Sequence, residues 1–221
     1  HQQLLPLTFT KPVAELRVGI FSIKEKWSYY LKEDVGVRTK DYLSAKYSGV
    51  DSETKIGIFA GLLPDSDVID TILNLEPNQL LMHDGNVIAI SPLPAAGEDM
   101  GEALSKMTVL NYDAELNIVN RPWDIFKLNE SEIEKDFEIV KEIKVPEEID
   151  SSNTVIGRRV FVEEGSKVSC STLNSTKGPI YIAKDAEVME GCLIRGPFAL
   201  LENAVLKMGA KIYGATTIGP Y

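Results

Sequence analysis

The chain has 221 residues, of which 44% are hydrophobic and 25% are charged, as is ordinary for a globular protein. Its formal net charge is -10 and its pI is about 4.8, and this acidic excess argues against a broad surface for nucleic acid or an anionic membrane. No apolar run approaches the roughly 20 residues that a membrane span needs, and no signal peptide is visible. Because the two cysteines have no metal-ligand spacing and only two histidines are available, we expect no zinc site and a reducing, cytoplasmic location.

The first part of the chain, residues 1–149, alternates strand and helix patterns. Residues 55–61, KIGIFAG, form a short apolar run that predicts a strand. The next segment predicts a helix, with Asp65 or Ser66 as its N-cap. The apolar face of this helix consists of Val68, Ile69, Ile72 and Leu73.

Two further patterns complete this part of the chain. Asp84 and Gly85 lie between two apolar runs, which is a signal for a short β-hairpin. Ser131 and Glu134 have the spacing of a capping box, so we predict that a helix begins at Ser131. The mixture predicts an α/β domain over residues 1–149 with a mostly parallel sheet. The apolar stripe of the last helix consists of Ile133, Phe137, Val140 and Ile143.

Residues 150–221 follow a different pattern, which begins after the polar connector KVPEEIDSSN. From Ile182 an aliphatic residue recurs at every sixth position up to Ile218, a period that neither a helix nor a simple strand explains. A hexapeptide repeat explains it. The repeating residues are Ile182, Val188, Ile194, Leu200, Leu206, Ile212 and Ile218, and the same period occurs earlier at Ile156, Val162 and Val168.

Such a repeat predicts a coil with flat faces, one hexad to a face. The aliphatic residue points into the core, and the residue four places later, usually a small one, lies where the chain turns a corner. A generic β-solenoid or an irregular sheet is the alternative interpretation. Because the repeat is intact up to Gly219 and no strand precedes Leu4, we expect that both ends of the chain are truncated.

With both parts in view, the chain resembles sugar nucleotidyltransferases that are fused to a hexapeptide β-helix. It is most similar to the Bacteroidetes-type alternative bifunctional N-acetylglucosamine-1-phosphate uridylyltransferase/glucosamine-1-phosphate acetyltransferase family. The motifs are LLPLTFTKPVAELRVGI near the start, NRPWDIF at residues 120–126, and the repeat from Gly178 to Tyr221. The resemblance implies an α/β nucleotidyltransferase-like domain, then a left-handed parallel β-helix that forms a homotrimer.

The opening motif corresponds to the second half of the superfamily signature that binds nucleotide phosphates. The matching positions are Leu4, Pro6, Thr8 and Pro12, whereas the glycine-rich loop of that signature is absent and Val13 stands where its lysine would fall. The resemblance therefore implies that Pro6 and Thr8 bind substrate. In the alternative interpretation the two prolines only shape a tight loop.

Cations near this motif are the candidates for phosphate binding. Lys11 and Arg17 are the proposed catalytic residues, which would neutralise the charge that builds on the α-phosphate as a sugar phosphate attacks it. Lys24 is a further candidate for substrate binding, as is Glu15. For Lys24 and Lys26 the sequence favours the simpler interpretation of solvated helix residues.

Nucleotidyl transfer also implies Mg²⁺, which one or two carboxylates hold together with phosphate oxygens. The superfamily aspartate expected after the second central strand is replaced here by Leu62, and Asp65 could substitute only if its loop folds back. Asp124 of the NRPWDIF motif is therefore the candidate metal ligand, with Glu15 as another. A helix cap or a buried hydrogen-bond acceptor is the alternative role for Asp124.

The β-helix part implies different chemistry. In acyltransferases of this architecture acetyl-CoA lies between neighbouring subunits and a histidine is the general base, yet this sequence has no histidine after His83. Arg195 and Lys207 could face a trimer interface or a sugar phosphate, although exposed solenoid cations are more often only solvated.

The resemblance predicts a sugar-1-phosphate nucleotidyltransferase. The substrates would be N-acetylglucosamine-1-phosphate and UTP, with glucose-1-phosphate and dTTP as alternatives, and acetyl-CoA would serve a second activity. Two other hypotheses remain open: a non-catalytic sugar-nucleotide sensor on a trimeric scaffold, and an acetyltransferase alone. No nucleic acid or membrane partner is expected.

Overall fold

The computed structural model describes residues 1–47, 49, 56–95 and 97–221. Its contacts divide the chain into two compact units, of which one comprises residues 1–16 and 22–124 and the other residues 17–21 and 125–221. The predicted domain boundary between residues 149 and 150 stays a prediction. No helix in the described ranges has the length and apolar character needed to cross a membrane. The helices are α1 Ile23–Leu31, α2 Asp41–Ser44, α3 Ser66–Leu73, α4 Met100–Ser105 and α5 Pro122–Ile143.

The first unit is built on a four-stranded mixed sheet. Its strands are β1 Gly57–Ile58, β2 Gln79–His83, β3 Asn86–Ser91 and β4 Thr108–Asn111, in the order β1-β3-β2-β4. Strand β3 is antiparallel to β1 and to β2, whereas β2 and β4 are parallel. The prediction of a mostly parallel sheet is therefore wrong, because the hairpin returns β3 into the middle of the sheet. Strands β1, β2 and β4 all run in one direction.

The hairpin itself is confirmed. Asp84 and Gly85 join β2 to β3 with φ angles of 47° and 73°. Two successive residues with positive φ are what a type I′ turn requires, and its twist matches that of the flanking strands.

Helix α3 begins as the sequence predicts, with Asp65 as the N-cap residue whose side chain accepts from the Asp67 N–H. Val68, Ile69 and Ile72 are buried. Leu73 lies at the edge of this stripe and is 53% exposed, so its assignment to the buried face is wrong. Strand β1 covers two residues of the predicted strand at 55–61, of which Lys55 lies outside the described residues.

Helix α5 starts nine residues before the predicted capping box. Pro122 is in its first turn, where the missing N–H of proline costs nothing. Ser131 lies in the interior of the helix, and its hydroxyl donates to the Leu128 carbonyl at 3.0 Å, so the prediction that the helix begins there is wrong. Ile133, Phe137 and Val140 are buried as predicted, whereas Ile143 is 52% exposed.

The second unit contains a parallel β-solenoid of three sheets. All pairings within the sheets are parallel, and each strand pairs with the strand one coil away. The sheets have the orders β14-β11-β8-β5, β15-β12-β9-β6 and β13-β10-β7. The left-handed sense stays a prediction. The strands are β5 Thr154–Ile156, β6 Val160–Val162, β7 Lys167–Val168, β8 Thr172–Asn174, β9 Ile180–Ile182, β10 Glu187–Val188, β11 Leu193–Arg195, β12 Phe198–Leu200, β13 Val205–Leu206, β14 Lys211–Ile212 and β15 Thr216–Ile218.

The hexapeptide residues fill the interior of the solenoid, as predicted. Ile182 and Leu200 are fully buried, and Ile212 and Ile218 pack on the same core while partly exposed. Ile156 is the exception: it is 42% exposed, and the strand register aligns Val155, which is itself 41% exposed, with the inward row in its place. The buried repeat residues are Val162, Val168, Ile182, Val188, Ile194, Leu200 and Leu206.

One outer face of the solenoid is covered by helix α5. Phe161 and Tyr181 point outward from the β6 and β9 strands and belong to an apolar cluster with Phe137 and Val140 of the helix. The Phe137 and Phe161 rings meet edge to face, with centroids 6.4 Å apart. Ile20, from the short segment near the start of the chain, completes this cluster.

Candidate functional site

The opening motif forms a tight loop. The Leu7 N–H donates to the Leu4 carbonyl at 2.9 Å, and the Phe9 N–H donates to the Pro6 carbonyl at 3.1 Å. Thr8 is fully buried, and its hydroxyl donates to the His1 carbonyl at 2.8 Å. The Thr8 side chain therefore holds the loop together from inside.

Lys11 extends from this loop into solvent. It is exposed and has no hydrogen bond or ion pair among the described residues. Pro12 is buried directly after it and precedes a single 3-10 turn at Val13–Glu15. Pro6 is exposed and Glu15 is half-buried. The loop thus presents a cation on a backbone that is fixed on both sides.

The two lysines of helix α1, Lys24 and Lys26, are less exposed than the sequence predicts. The Lys24 ammonium lies 3.3 Å from an Asp34 carboxylate oxygen, with 25% of its side chain exposed. Lys26 is only 1% exposed, so the interpretation as a solvated residue is wrong. Ile23, Lys26 and Trp27 have the i, i+3, i+4 spacing of one helix face, and this placement on the inward face buries the Lys26 side chain.

Arg17 belongs to the second unit, in a loop that packs on helix α5. Its guanidinium donates to the Ile20 carbonyl across the loop. The Gly19 N–H donates to the Asn129 side-chain oxygen at 2.8 Å. The Ile20 N–H and the Phe21 N–H both donate to Oδ2 of Asp136, at 2.7 Å and 3.1 Å. The backbone of residues 19–21 is therefore held by buried side chains of the helix.

Asp124 lies in the first turn of helix α5. One of its carboxylate oxygens accepts the backbone N–H groups of Asn120 and Arg121, at 3.0 Å and 2.8 Å. This is the arrangement of a helix-capping carboxylate, which also favours a negative charge at the positive end of the helix. The second oxygen, Oδ1, accepts no hydrogen bond among the described residues.

The position where the superfamily has its aspartate is part of the core. Leu62 is fully buried and forms a β-bridge with Ile118. Its carbonyl accepts the indole N–H of Trp27 at 2.8 Å. Asp65 caps helix α3 instead of folding back. Within the described ranges, no three His, Cys, Asp or Glu side chains cluster so as to hold a metal.

A pocket of about 390 Å³ lies at one edge of the mixed sheet. Phe59 directly follows β1, and His83 ends β2, so the pocket opens where these two strands reach their carboxyl ends. The His83 ring nitrogen Nδ1 lies 2.9 Å from the Tyr112 carbonyl, which follows the end of β4. The polar side chains of the lining include His83, Asp84, Asn86 and Asn120.

The pocket residues were missed by sequence reasoning, which treated Asp84 only as part of a turn. Asn120 connects the pocket to Asp124, because its backbone N–H donates to that carboxylate. Asn129 and Asp136 were also missed. Their signal is visible in the sequence, since these residues and Glu132 put polar groups at spacings of three and four residues beside the apolar stripe of the helix.

A second polar cluster lies between the end of helix α5 and the solenoid. The Tyr181 hydroxyl donates to Glu163, and the Lys144 ammonium contacts both the Glu163 carboxylate and, at 3.1 Å, the Tyr181 oxygen. Burial raises the pKa of Tyr181 well above its ordinary value of 10.0, and the hydrogen bond to Glu163 and its negative charge raise it further. The Arg17 guanidinium partly opposes this shift.

The solenoid cations Arg195 and Lys207 are both exposed.

A family model described as a sugar nucleotidyl transferase matches residues 1–145, which is well over half of the chain. No curated protein matches the chain.

Proposed function

Because the chain belongs to the sugar nucleotidyl transferase family, we propose that it joins a sugar-1-phosphate to a nucleotide. A phosphate oxygen of the sugar-1-phosphate attacks the α-phosphorus of a nucleoside triphosphate. The bond between that phosphorus and the bridging oxygen to the β-phosphate breaks, and pyrophosphate leaves. The products are a nucleotide sugar and pyrophosphate.

The observation that carries this proposal is the pocket at the carboxyl edge of the sheet, inside the region that the family model covers. Ligands of open α/β sheets bind outside the carboxyl ends of parallel strands. The volume of about 390 Å³ suits a small polar ligand. The imidazole of His83 and the carboxamides of Asn86 and Asn120 supply donors and acceptors for sugar hydroxyls or a nucleobase.

Lys11 is the residue that we assign to the phosphates. It is exposed on a fixed loop with no partner among the described residues, so it can reach an anion without first breaking an ion pair. Its charge would stabilise the negative charge that develops on the transferred phosphate. Arg17, whose guanidinium donates to the Ile20 carbonyl, is the second proposed phosphate residue. Pro6, Thr8 and Glu15 shape the opening motif that bears Lys11. We assign Lys24 to substrate binding at the edge of this motif.

The described residues fit Mg²⁺ only in the kind of site where the protein supplies few ligands. Mg²⁺ in such sites is held by one or two carboxylates together with substrate phosphates, and it neutralises phosphate charge. Asp124 offers one carboxylate oxygen that accepts no hydrogen bond among the described residues. We propose Asp124 as that ligand.

The finer assignments follow the resemblance to the bifunctional Bacteroidetes-type family. We propose N-acetylglucosamine-1-phosphate and UTP as substrates, a trimer formed through the solenoid, and acetyl-CoA as the ligand of a second activity. Cys170 and Cys192 are both free, which is consistent with a cytoplasmic location.

The test is pyrophosphate release with Mg²⁺ and each combination of UTP or dTTP with N-acetylglucosamine-1-phosphate or glucose-1-phosphate. Turnover with one combination supports the proposal and identifies the substrates. If a folded protein releases no pyrophosphate with any of them but binds a nucleotide sugar by calorimetry, the sensor hypothesis replaces the enzyme.

Lys11→Ala tests the phosphate assignment. Since a hydrogen bond to a charged group contributes about 1.5–3 kcal/mol, we expect kcat/KM to fall about 10- to 100-fold. Lys106→Ala is the matched control, because it removes an equal charge from an exposed lysine that, within the described part of the chain, pairs only with Glu102. Equal effects of the two variants would refute a specific role for Lys11.

A further inference from the structure

Residues 17–21 form a loop whose tip is seated on helix α5. Asp136 is only 1% exposed, and one of its oxygens accepts the N–H groups of Ile20 and Phe21. A buried carboxylate that accepts two backbone hydrogen bonds fixes both the position and the orientation of that backbone.

The neighbouring peptide groups are held from two sides. Asn129 of the helix accepts the Gly19 N–H at 2.8 Å. The Thr217 hydroxyl, on strand β15 of the solenoid, lies 3.0 Å from the Gly19 carbonyl and 3.2 Å from the Asn129 oxygen. We call the groups of Asp136, Asn129 and Thr217 that bind this loop its seat. One hydroxyl of the solenoid therefore completes the seat of a loop that lies nearly two hundred residues earlier in the sequence.

The seat accommodates the backbone at Gly19 but has no room for a side chain there. Gly19 has a φ of +83°, and a Cβ added to it would lie 2.4 Å from an Asp136 oxygen and 2.8 Å from the Glu132 carbonyl carbon. Apolar packing would secure this loop at a lower desolvation cost than a buried carboxylate does. What the polar contacts add is a single defined orientation.

We propose that Asp136, Asn129 and Thr217 are positioning residues for nucleotidyl transfer. They hold the tip of the loop, whose first residue, Arg17, directly continues the segment that bears Lys11. The Arg17 guanidinium donates to the Ile20 carbonyl, so the anchored tip also fixes the position of this proposed phosphate residue. None of the three residues needs to touch substrate. The proposal rests on the proposed function.

Thr217→Val tests this role with little change of shape. We expect the KM for the nucleoside triphosphate to rise about fivefold, as for the loss of one hydrogen bond, with kcat changed less than twofold. Thr217→Ser restores the hydroxyl and should restore the KM. Thr216→Val is the control, because among the described residues the Thr216 hydroxyl bonds only to the Gly214 carbonyl on the same turn.

The outcomes separate the two proposals. Absence of turnover by the wild-type protein overturns the proposed function and the positioning role with it. Turnover by the wild-type protein with an unchanged KM in Thr217→Val, or an equal change in Thr216→Val, overturns only the positioning role.

Hydrogen exchange supplies a readout that does not depend on activity. In Asp136→Asn the charge that holds two N–H groups is removed, so we expect the amides of residues 19–21 to exchange about tenfold faster. Unchanged exchange at these amides would show that Asp136 does not anchor the loop and would overturn the proposal.

Discussion

Tyr181 combines an apolar and a polar role on the covered face of the solenoid. Its ring packs with Phe161, at a centroid distance of 6.2 Å, while its hydroxyl donates to Glu163. Lys144, just after helix α5, joins the same group. Because burial and Glu163 both raise the Tyr181 pKa, the phenol stays protonated in the folded protein at pH values where an unfolded chain would lose the proton.

This difference predicts how stability depends on pH. Below the ordinary tyrosine value of 10.0 the contribution is fully present, since Tyr181 is protonated in both states. Above that value only the unfolded state releases the proton, so the free energy of unfolding should fall by about 1.4 kcal/mol per pH unit. Urea unfolding of the wild type and Tyr181→Phe from pH 9 to pH 11.5 measures this, because the two proteins differ only in the Tyr181 hydroxyl.

The phenylalanine variant should lack this component, so the difference between the two proteins shrinks as the pH rises. A difference that stays constant or grows over this range would contradict the assignment. Tyr213→Phe, at a tyrosine that is 78% exposed, should follow the wild type.

Single residues were predictable where their role is local. Asp65 as an N-cap and the Asp84–Gly85 turn depend on the backbone within a few residues, and both were predicted correctly. Lys26 was not, because its burial depends on the inward face of helix α1, which residues distant in sequence cover. The roles of Lys11 and Arg17 at the phosphates stay predictions.

At the scale of elements, helix α5 shows how a correct local signal gives a wrong boundary. Ser131 and Glu134 have capping-box spacing, yet Pro122 and Asp124 supply a start signal nine residues earlier. A helix that has already begun continues through serine, whose hydroxyl then bonds back to a carbonyl of the preceding turn.

The strand register of the solenoid predicts that replacing two aliphatic residues by alanine lowers the free energy of unfolding by different amounts. Leu173 is fully buried in the inward row, whereas Ile156 is 42% exposed and lies one position out of that row. Leu173→Ala should lower the free energy of unfolding by about 2–5 kcal/mol, and Ile156→Ala by less than about 1 kcal/mol.

Chemical denaturation followed by circular dichroism measures both variants. Equal losses would show that the inward row is assigned incorrectly. The hexapeptide period alone predicted the interior residues from Ile182 onward, but it failed at Ile156 because the connections between the early strands differ in length from the later ones.

At the scale of the whole molecule, the solenoid was predictable and the mixed sheet was not. In a repeat protein the same sequence pattern recurs in every coil, so the fold can be recognised even where one segment is irregular. The order of β1, β3, β2 and β4 appears only once and depends on long-range pairing. The pocket follows from that order, which is why its residues were missed.

The proposed trimer makes a prediction at this scale. Exposed apolar side chains on the outside of the solenoid, among them Leu193 at 48% and Met208 at 70%, offer surface for association. Light scattering behind size-exclusion chromatography should give a mass about three times the 24.4 kDa of the chain. A mass of one chain at micromolar concentration would contradict the trimer.

The seat of the Gly19 loop also has a consequence for biosynthesis. Gly19 and Thr217 are 198 residues apart. At a translation rate of roughly 5–20 residues per second, about 10 to 40 s separate the synthesis of the loop from that of the hydroxyl that completes its seat. During that interval the Gly19 carbonyl lacks the Thr217 hydroxyl, although Asn129 and Asp136, which hold the N–H groups of residues 19–21, have already been synthesised. One of the first segments to be synthesised is therefore closed only when strand β15 has been made.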